Sequence, residues 1–79
     1  MNFGLALEAL KEGKRVARSG WNGKNMYLVL KGEETQNIGD KTVKVESCVC
    51  MFTAQGTLQP GWTCSQSDML SEDWEILKD

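Results

Sequence analysis

A chain of 79 residues, 41% hydrophobic and 25% charged, has the balance of one small globular domain spanning 1–79 rather than of a disordered segment. Its net charge of -2 and pI near 5.0 argue against the basic face that polymeric DNA or RNA requires, and no apolar run approaches the ~20 residues that span a bilayer. A domain this short buries only about 60–65% of the surface its unfolded chain exposes, so a disulfide, a metal or self-association is expected to supplement its core.

The opening Met1-Asn2-Phe3-Gly4 lacks the basic segment, apolar stretch and small-residue cleavage site of a secretory signal, which sets the expectation of a cytoplasmic protein. From Asn2 to Gly13, Phe3, Ala6, Leu7 and Leu10 recur at the spacing of one helical face. Asn2 is placed as N-cap and Gly13 as a left-handed stop. Leu5 and Ala9 fall on a different flank, apolar surface that a subunit contact would cover.

Arg15 to Ser19 reads as a short strand around Val16, followed by the tight connection Gly20-Trp21-Asn22-Gly23-Lys24-Asn25. Met26 to Lys31 is the next strand, with Met26, Leu28 and Leu30 on one face and Tyr27 and Val29 on the other. The polar segment Gly32 to Lys41 reads as an exposed loop or hairpin tip. Strand resumes at Val43 to Val45 and at Cys48 to Thr53, the latter again apolar on both faces. So small a chain cannot cover both sides of a sheet, and a partner subunit is the economical explanation.

Turns are expected at Gln55-Gly56 and Pro60-Gly61. Ser65-Gln66-Ser67-Asp68, with a capping residue three positions before an acid, opens a short helix over Met69 and Leu70. Trp74 and Ile76 alternate with acids as a final strand. The fold class is therefore α+β: an antiparallel sheet with an N-terminal amphipathic helix and a short helix before the last strand.

Little here suggests catalysis. Histidine is absent, which removes the commonest general acid-base group and metal ligand, and no Ser or Cys has an evident activating base nearby. Asp68, Glu72, Asp73 and Glu75 cluster as paired carboxylates would, but acids around a helix end also act as caps and solvated faces. Cys48, Cys50 and Cys64 are odd in number; Cys48 and Cys50, two apart on a strand, share a face and are poorly placed to bridge each other. A zinc site there would need a carboxylate as fourth ligand, and thiols packed as small hydrophobes are the plainer reading. No catalytic residue, metal or cofactor is expected.

The segment Arg18-Ser19-Gly20-Trp21-Asn22-Gly23-Lys24 is the most suggestive. A tryptophan on a glycine-flanked turn offers a stacking face, Asn22 a donor and acceptor, and Arg18 and Lys24 positive charge, together matching a base, its polar edge and a phosphate. The same residues equally describe a turn whose tryptophan plugs the core.

Asn2-Phe3-Gly4 with its helix through Lys14, Val16-Ala17-Arg18 leading into Gly20-Trp21-Asn22-Gly23-Lys24, and Ser65-Gln66-Ser67-Asp68-Met69-Leu70 with Glu72-Asp73-Trp74-Glu75 resemble the Thoeris anti-defence two family of phage proteins. The match spans both ends of the chain, while Gly32 to Pro60 carries no matching motif. The resemblance implies a sponge that binds and sequesters the cyclic ADP-ribose-type signal of the bacterial Thoeris system without breaking a bond, in the cytoplasm of the infected host. It also implies a homotetramer with ligand pockets at subunit contacts, and in some members a separate site for cyclic oligonucleotides. Carried onto this chain, Trp21 would stack on the adenine, Asn22 would hydrogen-bond, Lys24 would lie near the pyrophosphate and Met26 would line the pocket. Gln66 and Asp68 would either reach ribose hydroxyls from a neighbouring subunit or cap their helix.

Overall fold

A computed structural model describes residues 1–78. Helix α1, Phe3–Lys11, is followed by β1, Val16–Arg18; β2, Tyr27–Lys31; β3, Glu34–Ile38; β4, Lys41–Val45; β5, Cys48–Phe52; and β6, Leu58–Pro60. Helix α2, Gln66–Leu70, and strand β7, Trp74–Ile76, complete the chain. This is the expected α+β arrangement. Five strands form an antiparallel sheet in the order β6-β5-β2-β1-β7, and β3 and β4 pair separately.

The ends of α1 follow from its sequence. The Asn2 side chain accepts a hydrogen bond from the Leu5 amide at 2.9 Å, and Gly13 turns the chain away with φ 86°. Its buried face is Ala6, Ala9 and Leu10, which close over Val16, Leu28 and Trp74. Ala9 thus belongs to the core rather than to an uncovered flank, because the covered stripe is wide enough to include it. Leu5 does remain outside, 55% exposed.

Only one face of the sheet is covered by α1. Leu28, Leu30, Val49 and Met51 point beneath the helix, while Tyr27, Val29, Cys48, Cys50, Phe52 and Leu58 alternate to the opposite face. On that second face the Tyr27 and Phe52 rings stack at 4.8 Å and 9°, with the Arg15 guanidinium 4.9 Å above Tyr27. Within one chain nothing covers these rings beyond their neighbours, and Leu58 is exposed.

The polar segment after β2 is a strand, not a loop. Every residue of β3 is exposed and shows no apolar alternation, so only its pairing with β4 defines it. The offset that sets Lys31 opposite Cys48 also sets Glu34 opposite Val45 and Ile38 opposite Lys41. β2–β3 and β4–β5 are therefore the two sides of one ribbon, interrupted at 32–33 and 46–47, whose outer half extends beyond the helix as an arm. It turns at Gly39, where φ is 63°, and contributes to a longest dimension of 45 Å. β6 was hidden in sequence as well, being three residues that end in proline at a sheet edge.

Candidate functional site

The connection from β1 to β2 carries Trp21, Asn22, Lys24 and Met26, and an ionic knot fixes its base. Arg18 leaves β1 and donates from Nη1 to Asp68 Oδ1 at 2.8 Å and from Nε to Asp73 Oδ1 at 2.9 Å. The Gly20 amide donates to Asp73 Oδ2 at 2.9 Å, and a Cβ added at Gly20 would lie 2.7 Å from that same oxygen. Glycine here permits the backbone to approach the carboxylate. Arg18 is thus committed to two acids from the other end of the chain, and the phosphate role open to it in sequence is taken by these partners.

Trp21 is half-buried, and both earlier readings of it describe part of what is found. Its ring packs edge-on to the buried Trp74 at 5.4 Å and lies 6.5 Å from Trp62, while its indole N–H donates to Asp68 Oδ1 at 3.2 Å. Beyond it, Asn22 and Lys24 are exposed, and the Lys24 ammonium makes no ion pair among the described residues. Asn25 adopts φ 62°, a left-handed conformation asparagine tolerates. The half-buried Met26 folds back so closely over Gly23 that its Sδ and Cγ occupy the place of a Cβ there. Any larger residue at 23 displaces Met26.

Asp68 is the hub. It caps α2 reciprocally with Ser65: its backbone N–H donates to Ser65 Oγ at 3.0 Å, and its Oδ2 accepts from the Ser65 amide at 3.1 Å. Its backbone carbonyl accepts the Trp74 indole N–H at 2.9 Å. With Arg18, Trp21 and Ser65 all donating to it, the carboxylate is engaged inside the chain, whereas the neighbouring Gln66 is exposed. Burial alone would raise its pKa, but the hydrogen bonds from Arg18, Ser65 and Trp21 outweigh that and hold it at about 2. Asp73 is likewise lowered, chiefly by its hydrogen bond from Arg18.

The sign of the resulting pH dependence follows directly. A depressed carboxyl stabilises the fold fully above its unfolded value of 3.8, and that contribution is lost as pH falls through about 2. The shift at Asp68 corresponds to about 2 kcal/mol. Acid unfolding of the native chain and of Asp68→Asn, followed by circular dichroism, is expected to show a stability gap that narrows across this interval and closes below it.

The cysteines are free. Cys48 and Cys50 do share a face of β5, with sulfurs 3.8 Å apart, and among the described residues no cluster of three or more ligating side chains forms a metal site. Among these residues the single chain encloses no cavity, and no helix is long and apolar enough to cross a membrane. Sequence reasoning passed over Trp62, which joins Phe3, Trp21 and Trp74 in one aromatic cluster. The WT pair in Gly61-Trp62-Thr63 gave no periodic signal; only the third dimension brings it beside Trp21.

Two comparisons bear on this site. The family model described as the Thoeris anti-defense 2-like domain matches residues 1–77. A protein of Bacillus phage SP01 named Thoeris anti-defense 2 is 39% identical over 87 aligned positions, covering 98% of this chain and 94% of the relative.

Proposed function

The chain belongs to the Thoeris anti-defense 2-like family, and from that membership we propose that it is a phage sponge, holding the cyclic ADP-ribose-type signal of the Thoeris system without degrading it. It acts in the cytoplasm of the infected host, as a single ligand-sequestering domain that assembles into a homotetramer. The observation that carries this reading is the Trp21 loop. An indole edge anchored on Asp68 leaves ring surface for a base, and exposed Asn22 and Lys24 follow it with a hydrogen-bonding amide and a cation. Met26 lines the same loop, and Gln66 lies exposed next to the hub. In this arrangement Asp68 serves the ligand indirectly, by holding Trp21.

A sponge that competes with a sensor needs about nanomolar affinity, near -12 kcal/mol, while stacking on one tryptophan supplies about 1–3. Enclosure between subunits supplies the remaining contacts and preorganisation. The uncovered Tyr27–Phe52 face and the β3–β4 arm are the surfaces through which such an assembly would form.

Purified protein incubated with cyclic ADP-ribose isomers, freed of unbound nucleotide and then heated is expected to release unchanged nucleotide, as read by mass spectrometry. Trp21→Ala should release none. Release of hydrolysed product would mean a phosphodiesterase, and capture of cyclic di- or trinucleotides alone would assign the site to those signals.

A further inference from the structure

Trp62 owes its position to a break in strand alternation. β6 pairs with β5 as far as Pro60 opposite Cys50. Beyond that, the amides of Gly61 and Trp62 both donate to the Val49 carbonyl, at 3.1 and 2.9 Å, with Gly61 at φ 79°. Two residues thus oppose one, a bulge opened by a left-handed glycine. Strict alternation would have sent Trp62 to the uncovered face with Pro60. The bulge sends it instead to the face of Val49, where it meets Phe3 at 6.4 Å, Trp74 at 6.3 Å and Trp21 at 6.5 Å.

Trp62 and Trp21 are now comparable groups. Each is half-buried, each stands nearly perpendicular to Trp74, at 84° and 81°, and their planes meet at 60°. They differ in one respect. Trp21 and Trp74 both spend their indole N–H on Asp68, whereas the Trp62 N–H is not a buried atom and meets no acceptor among the described residues. A core tryptophan whose N–H is lost from solvent finds a partner; one that keeps an unpaired donor beside a candidate stacking residue offers it to a ligand.

We propose that Trp62 is a second ligand-contacting residue of the Trp21 site, its ring widening the aromatic wall and its indole N–H donating to an acceptor oxygen of the bound nucleotide. This rests on the sponge reading. Two backbone hydrogen bonds to Val49 fix the residue before ligand arrives, so little side-chain freedom is lost on binding. The donor would distinguish ligands that carry an oxygen at that point from those that do not.

The test uses the unaltered chain first. With nitrogen-15-labelled protein and cyclic ADP-ribose as probe, the indole N–H resonances of both Trp21 and Trp62 are expected to shift on saturation. Trp62→Phe, which keeps an aromatic ring in the cluster and deletes the donor, should weaken binding about tenfold by calorimetry while retaining the assembly. If the Trp21 resonance moves, Trp62 stays fixed and Trp62→Phe binds like the native chain, Trp62 is a packing residue and the inference is overturned with the sponge intact. If no resonance moves at saturating probe and none is captured, the sponge reading fails and this inference with it.

Discussion

Asp68→Ala is expected to destabilise the fold by about 3–5 kcal/mol, the cost of removing one member of a largely buried ion pair and stranding its partners. The side chain is 12% exposed, and its loss leaves the Arg18 guanidinium, the Trp21 indole N–H and the Ser65 amide without their acceptor. It also removes a reciprocal cap, which by itself is worth about 1 kcal/mol. Urea unfolding at fixed protein concentration measures the loss, since an associating protein gains apparent stability from mass action. A simple cap would cost only the smaller amount. The pair Arg18→Met with Asp68→Leu should recover part of the deficit, because matched apolar replacement removes the stranded charge. A loss below about 1 kcal/mol would show that the knot is not what holds the two ends of the chain together.

The second large effect concerns assembly. Val29 lies on the uncovered face, half-buried, between the Tyr27 ring and Lys31 on its own strand and opposite Cys50. Val29→Lys places a third cation near Arg15 and Lys31, on a surface the lone chain already leaves to solvent, so the protomer should still fold. Face-to-face association would instead have to desolvate that charge. Light scattering is expected to show dissociation, and retention of cyclic ADP-ribose should fall by at least about a thousandfold, the gap between nanomolar capture and what one exposed indole can achieve. Dissociated chains that bind as tightly as the native protein would refute enclosure between subunits.

What could be read from sequence depended on whether a signal was local. Asn2, Gly13 and the Ser65–Asp68 pair announce both helices because capping is settled within four residues. β2 and β5 showed themselves through apolar residues on both faces, and the single chain indeed covers only one of them. β3 was illegible because its side chains face solvent throughout, leaving pairing with β4 as its sole cause. The site was legible only in its first half. Trp21, Asn22, Lys24 and Met26 are adjacent in sequence, but the carboxylates that claim Arg18 lie 50 and 55 residues away. Trp62 depended on a bulge that reverses the expected side of the strand, which no pattern of alternation can reveal.

The unbroken pairing offset along the ribbon bears on how such a protein can change over time. Two residues inserted on each side of the Gly39-Asp40 tip would lengthen the arm by about 7 Å, while every side chain of the body kept its face and its partner. An odd or one-sided insertion would be absorbed at the tip or at the two interruptions, which separate it from the sheet that carries Trp21 and Trp62. The arm is therefore a region in which insertions and deletions can accumulate with little penalty to the knot. Its length can drift between lineages, altering the reach from one subunit to another while the binding loop stays as it is.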